Sequence, residues 1–295
     1  MKEAFTDWKP RGNDSKVLLV KGIEVVNEYA AQGYQLTLRQ LYYQLVARHI
    51  IPNSNRWYKR LGEVVSNGRL AGFIDWDAIV DRGRVPVMPP QWSSPSAILE
   101  SAARSYRLDR WAGQANYVEV WCEKDALSSV IEPVCERYHV RFMANRGYSS
   151  STAMYDAAQR FNDATDRGKQ PVVIYLGDHD PSGIDMSRDI RDRLELMTYG
   201  AEVEVLRLAL NYNQVEEYQP PPNPTKFQDS RAEGYIRLYG LDSWELDALE
   251  PQVLDGMIAA AIEQFMDLDL YNRMVEREEE GREAIREAAA RLLEA

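Results

Sequence analysis

Cysteine is nearly missing from this chain of 295 residues, which has only Cys122 and Cys135. They form no CxxC pair, and neither has a histidine at zinc-finger spacing. A disulfide framework and a zinc site are therefore both excluded, leaving two buried thiols as the expectation. Long apolar runs are also missing. The longest, such as "VIYL" and "MIAAAI", fall far short of the roughly 20 residues that cross a bilayer, and the N-terminal "MKEAFTDWKPRGNDSK" holds no apolar signal core. The expectation is a soluble, cytoplasmic protein with no membrane partner. Internal repeats and extended low-complexity tracts are absent as well. What is present is 45% hydrophobic residues, enough to bury the core of one large domain or two modest ones.

The formal net charge of -11 argues at first against a nucleic-acid partner, but its distribution argues the other way. Residues 1–110 carry a net +5 and the remainder -16. A basic front joined to an acidic back suits a polyanion-binding module beside a metal-binding or solvated one. An incidental asymmetry with an acidic final helix is the alternative on charge alone.

Apolar residues at helical spacing from Ser15 to Gln32 predict a first helix. Thr37 caps a second, "LRQLYYQLVARHI", which stops at Ile51-Pro52, and "NRWYKRLGEVVSNGRL" makes a third. "GFIDWDAIVDRG" reads as short extended pieces. Three helices and a small β-ribbon are the order of a winged helix, a module that lays a helix in a DNA groove. "VPVMPPQWSSPS" then reads as a linker. Beyond a short helix near Ala97 to Arg107, strands alternate with helices: "YVEVWC", "VRFMAN", "VVIYL" and "AEVEVLRLAL" are the strands. That alternation predicts βαβ units, hence an α/β chain with a largely parallel sheet. The boundary falls at 110/111, with an N-terminal unit 1–110 and a metal-binding unit 111–295. "YQPPPNPTKF" reads as a surface loop and the charged last helix as a solvated amphipathic one.

Chemistry in a parallel sheet gathers where strands end. Glu123 directly follows "YVEVWC", and Asp178 and Asp180 follow "VVIYL" within "VVIYLGDHDPSG". Residues two apart on an extended chain share a face, so His179 points away from the pair. Three carboxylates at one edge repel unless a cation neutralises them, and hard oxygen donors favour Mg²⁺ or Mn²⁺. Gly183 allows tight backbone geometry beyond the pair. "DHDPSG" also matches the opening of an EF-hand loop, but Asp185 stands where an apolar residue belongs, Asp189 where a Glu belongs, and a strand precedes it. A nucleotide-sugar transferase or phosphatase DxD needs no Glu at an earlier strand end, and simple capping of the next helix by Asp178 and Asp180 stays open. Lys124 and Asp125 read as helix N-terminal residues, with Lys124 able to meet a phosphate. On the second helix, a 100° wheel puts Leu38, Leu41, Tyr42, Leu45 and His49 on the core face. Arg39 and Tyr43, four apart, share its flank, with Tyr43 reaching outward beside a guanidinium that stabilises a phenolate and a phosphoryl transition state. Arg56, Lys59, Arg60 and Arg69, interleaved with Trp57 and Tyr58, are candidate DNA contacts.

"VEVWCEKDAL" followed by "VVIYLGDHDPSG" resembles the Toprim domain of topoisomerases, primases and some nucleases. The resemblance puts Glu123, Asp178 and Asp180 on its metal-binding positions. With "LTLRQLYYQL" ahead of it, the stretch from about Gln35 to Gly183 resembles the A subunit of type IIB topoisomerase (topoisomerase VI) and the related meiotic double-strand-break transesterase. Arg39 and Tyr43 match that family's catalytic arginine and nucleophilic tyrosine. The resemblance implies Mg²⁺-dependent cleavage of double-stranded DNA by a homodimer. Each Tyr43 would act with Glu123 and the metal site of the other subunit and retain a 5′-phosphotyrosyl link. The chain is shorter than the family's usual A subunit and carries no nucleotide-binding glycine motif, so ATP-driven strand passage would require a separate GHKL-type ATPase B subunit. Two other readings are a Toprim nuclease that uses water, of the kind found in mobile elements or defence, and a non-catalytic DNA-binding subunit.

Overall fold

The structure, a computed structural model, describes residues 4–79, 88–225 and 227–294. The first three helices are α1 (Gly12–Ala31), α2 (Leu38–Ala47) and α3 (Asn55–Leu70). α2 starts where it does because Thr37 and Gln40 form a reciprocal capping box. It stops at Ala47, earlier than its apolar spacing suggests: His49 takes φ 55° and lies exposed, off the core face. Leu18, Val25, Tyr29, Leu41, Leu45, Leu61 and Val64 close this unit's core.

The expected ribbon after α3 is reduced to isolated bridges, Ala4 with Ala71 and Leu36 with Ile79, around a 3-10 turn at Trp76–Ala78. Its residues 80–83, and residues 85–87 of the expected linker, lie outside the described residues. The helix after the linker is α4 (Pro95–Ser105).

The second unit is α/β. Strands β1 (Asn116–Cys122), β2 (Arg141–Ala144), β3 (Gln170–Leu176) and β4 (Glu204–Ala209) form one sheet in the order β2-β1-β3-β4, with every pairing parallel. Side-chain alternation sorts each strand onto two faces. Val118, Val120, Cys122, Val172, Ile174 and Leu176 pack with α5 (Ser128–Tyr138) and α10 (Pro251–Glu263). Trp121, Val173 and Tyr175 pack with α6 (Ser151–Asp166) and α7 (Pro181–Met197) on the other face. Because β1 runs out to β2 through one layer and the chain returns to β3 through the other, the connections diverge at the carboxyl ends of β1 and β3. This is the topological switch point, where open α/β sheets bind ligands.

The remaining elements wrap that edge and the flank. α8 (Tyr212–Tyr218) and α9 (Ala232–Tyr239) flank a two-stranded antiparallel pair, β5 (Asn223–Pro224) with β6 (Asp242–Ser243). The proline-rich stretch is therefore partly ordered as β5. The last helix, α11 (Leu268–Glu294), lies against α4. Among the described residues, no helix is long and apolar enough to cross a membrane.

α11 is less uniformly solvated than its charge run suggests, because Glu278 is fully buried. Its carboxylate accepts from Arg110 Nη2 at 2.8 Å and from the Leu108 amide at 3.0 Å, and it pairs with Arg282. Burial pushes this carboxyl up, but Arg110, the Leu108 amide and Arg282 outweigh it and hold it at about 2. A depressed folded-state pKa adds stability that is complete above the unfolded value of about 4.3 and is lost as pH falls toward the folded one. Glu278→Ala should cost about 3–5 kcal/mol at neutral pH by stranding Arg110. Chemical denaturation followed by circular dichroism should also show a smaller loss of stability between about pH 4.5 and 2 than in the parent protein.

Candidate functional site

The strand-end carboxylates meet at the switch point. Cys122 and Leu176 are in register, so Glu123 and Gly177 leave β1 and β3 side by side. Glu123 Oε2 accepts from the Asp178 amide at 2.9 Å, which ties the two strand ends together. Both carboxylates are buried. Two glycines make the geometry possible. A Cβ at Gly183 would lie 2.2 Å from the Asp178 carbonyl oxygen, and one at Gly177 would lie 3.0 Å from Glu123 Oε2. From β4, the Arg207 guanidinium binds the carbonyls of Gly177 (3.2 Å), Asp178 (2.7 Å) and Gly183 (2.8 Å), holding the loop from behind.

Asp178 and Asp180 have different tasks. Asp180 Oδ1 caps α7, accepting from the Gly183 amide at 2.6 Å and Ser182 Oγ at 2.9 Å. Asp178 caps nothing on α7: Oδ1 accepts from the Leu246 amide at 2.8 Å, and Oδ2 pairs with Lys124 Nζ at 2.8 Å. Between them His179 turns away into an aromatic box of Tyr212, Tyr235, Tyr239 and Trp244. Its Nδ1 lies 2.7 Å from the Tyr235 hydroxyl, and burial, with Arg207 nearby, pushes its pKa down to about 4.

Lys124 is the cation of this site. Besides Asp178, its ammonium contacts Glu245 at 2.8 Å and Asp247 at 3.5 Å. Burial works to deprotonate it, but Asp247, Asp178 and Glu245 more than offset that and hold it protonated well above the usual lysine range. Burial raises Glu245 too, yet Lys124 and Arg39 bring it down to about 2. Glu123 and Asp178 move the other way. Burial, together with Asp180 for Glu123 and with Glu123 and Asp247 for Asp178, raises both above the usual carboxylate range.

The tyrosine helix closes the same site. Arg39 pairs with Glu245, and its Nε lies 2.9 Å from Asp247 Oδ2. The Tyr43 hydroxyl accepts from Asn223 Nδ2 at 3.1 Å, and the same Nδ2 lies 3.5 Å from Glu245 Oε1. Tyr43 therefore does not reach outward as the helical wheel suggests: it is 3% exposed, as buried as Tyr42 at 4%. Residues 223 and 245–248 cover the flank that an isolated helix would leave open. Burial first, and Glu245 second, push its phenol up to about 12.

The basic residues expected on α3 divide. Arg56 and Lys59 are exposed, and neither makes an ion pair with the described residues. Arg60 pairs with Asp14 at 2.9 Å and stacks on Trp57. Arg69 is turned to the carbonyls of Trp76 and Ile79 and lies over the Trp76 ring.

As donors, Glu123, Asp178 and Asp180 are hard oxygens suited to Mg²⁺ or Mn²⁺. Glu123 Oε1 and Asp180 Oδ2 have no hydrogen-bond partner among the described residues. The arrangement itself is closed by Lys124, and among the described residues no three His, Cys, Asp or Glu side chains are grouped as a metal cage. Sequence reasoning missed Glu245 and Asp247, although "SWELDAL" holds two carboxylates at the same one-residue spacing as the DxD. It also missed Arg207, whose signal was a lone cation inside the apolar run "VLRLAL". No protein-family model and no curated protein matches this chain.

Lys124→Met leaves two buried carboxylates, Asp178 and Asp247, and the half-buried Glu245 without their ammonium, so it should lower stability by about 3–5 kcal/mol. Adding Asp178→Asn removes one stranded charge, so the double variant should lose less than the two single losses added together. Urea unfolding of the four proteins measures that coupling.

Proposed function

We propose that the protein binds duplex DNA and cleaves it by Mg²⁺-assisted transesterification, with Tyr43 as nucleophile, as in the A subunits of type IIB topoisomerases that it resembles. One observation carries the reading. Arg39 and Tyr43, on a helix some eighty residues ahead of the sheet's first strand end, share one ion-pair network with Lys124 and Asp178 at the switch point. This contact within one chain supports the reading by bringing the tyrosine helix to the strand-end acids; the resemblance itself implies that each Tyr43 acts at the acids of the other subunit.

In this mechanism, the Tyr43 oxygen bonds to a backbone phosphorus and loses its proton. The P–O3′ bond breaks, and the departing 3′ oxygen takes up a proton. The protein keeps the 5′-phosphotyrosyl link, and religation runs the same steps backward. Arg39, half-exposed at the network's rim, stabilises charge on the phosphoryl oxygens. Lys124, freed from Asp178, does the same from the sheet side. Glu123, Asp178 and Asp180 would hold the Mg²⁺, which supplies Lewis-acid stabilisation of the transferring phosphate when bound. Because Tyr43 is buried against Asn223 and its phenol is held neutral, the mechanism requires α2 to part from the 245–248 turn before attack. In the homodimer that the resemblance implies, that parting would present Tyr43 to the partner subunit's acids. Strand passage would then call for a separate ATPase subunit.

A second reading, hydrolysis by water at the same carboxylates, is favoured by one observation, the burial of the Tyr43 hydroxyl. Tyr43→Phe separates the two. It gives up one hydrogen bond, worth about 0.5–1.5 kcal/mol, and keeps the fold. With labelled duplex and Mg²⁺ on a denaturing gel, the variant should lose both cleavage and protein-linked DNA. Arg39→Ala should slow cleavage by about 10²–10³-fold. Cleavage that persists in Tyr43→Phe with no covalent band would establish the hydrolytic reading instead.

A further inference from the structure

A large groove lies away from the tyrosine, between α3 and the N-terminal arm at residues 6–11. Its volume is about 1210 Å³, and Lys9, Arg11, Arg56 and Lys59 line it. The arm is anchored at both ends. The Phe5 and Thr6 amides donate to the Leu70 carbonyl at 2.7 and 3.1 Å, and beyond the arm Arg60 holds Asp14 at 2.9 Å and Ser15 at 3.4 Å. Arg60 is thus a strut of the groove, which leaves the other four cations for a ligand. None of those four makes an ion pair or hydrogen bond with the described residues, and all are exposed. Asp7 and Glu63 are the acidic residues in the lining.

We propose that this groove is a second DNA contact, in which the arm residues Lys9 and Arg11 and the α3 residues Arg56 and Lys59 grip the phosphate backbone of a duplex. Three features select that ligand. The volume exceeds the roughly 300–1,000 Å³ of ordinary small-molecule pockets, and the open groove carries an excess of cations over Asp7 and Glu63, with two cations on each wall that are unpaired among the described residues. Its aromatic residues are not available for stacking: Trp8 and Trp57 pack against the helical core, and the Arg60 guanidinium covers the Trp57 ring. A groove without free aromatic faces reads phosphates, whereas single-strand binders stack bases on aromatic platforms. The groove also connects to the site. Asn53, just ahead of α3, donates to Asn223 Oδ1 at 2.7 Å, and Asn223 donates to Tyr43.

This proposal rests on the duplex-binding part of the function above and not on its chemistry, so its test omits Mg²⁺. Fluorescence anisotropy with a labelled duplex in EDTA, repeated across a salt series, gives the slope of log affinity against log salt. Lys9→Gln, Arg11→Gln, Arg56→Gln and Lys59→Gln should each reduce that slope by about 0.9, and the arm variants should do so as fully as the helix variants. Lys9→Arg should restore the parent slope. Unchanged slopes in Lys9→Gln and Arg11→Gln, or tighter binding of a single strand of equal length than of the duplex, would overturn the groove while leaving Tyr43 chemistry untouched. A reduced slope alongside cleavage that survives Tyr43→Phe would uphold the groove and overturn the chemistry.

Discussion

A single ammonium set among buried carboxylates holds the two halves of this molecule in register. Lys124 follows the first sheet strand, Asp178 the third, and Glu245 and Asp247 belong to a turn more than sixty residues further on. Like charges gathered at a dry sheet edge repel strongly at low effective dielectric, so the cluster exists only because a cation lies at its centre. Glu245 then passes the connection to Arg39, and through Arg39 to the helix that carries Tyr43. If the ammonium were removed, the ends of β1 and β3 and the 245–248 turn would be left with the Glu123–Asp178 and Asp178–Leu246 hydrogen bonds among these groups, and α2 with the pairs of Arg39.

The same network sets the terms of any chemistry. Glu123 and Asp178 are held above the normal carboxylate range, the condition of acids that need more positive charge than they have. The Tyr43 phenol is held neutral and capped by an amide. Tyr43 and the acids are thus held by intramolecular pairs, for which, in the proposed function, a polyanion and a dication would compete from opposite sides. Arg39 and Lys124, now spent on Glu245 and Asp247, are the groups a phosphate would recruit. The groove between α3 and the N-terminal arm carries four further cations, which the proposal assigns to the same ligand.

Much of this was legible in the sequence where the physics is local. Short apolar runs alternating with helical segments located the four strands, and the crossover helices between them forced a parallel sheet. Strand ends then put Glu123 and Asp178 side by side. The Thr37 cap located the start of α2, whereas its end fell at Ala47, short of the expected stop at Ile51-Pro52. The three-helix unit was legible too, but the ribbon beyond it shrank to isolated bridges. What was hidden depended on distant covering segments. Nothing near Tyr43 announces that Asn223 and Glu245 will bury it. "SWELDAL" is too short for any periodicity to place its acids. Beyond Cys122 the alternation of faces stops applying, so the chain's own Lys124, and not only a bound dication, was hard to foresee as the neutralising charge. Asp180 reads equally well as ligand or cap from sequence, and the cap is the role its Oδ1 takes.

The proposed function requires the Lys124 ammonium to yield Asp178 to a hard dication when the protein is on DNA. Anomalous scattering from crystals of the protein with a duplex and Mn²⁺ tests it directly. The account predicts a manganese peak bounded by Glu123, Asp178 and Asp180, with Lys124 withdrawn from Asp178 toward phosphate. A site without manganese, with the ammonium still seated on Asp178, would contradict it.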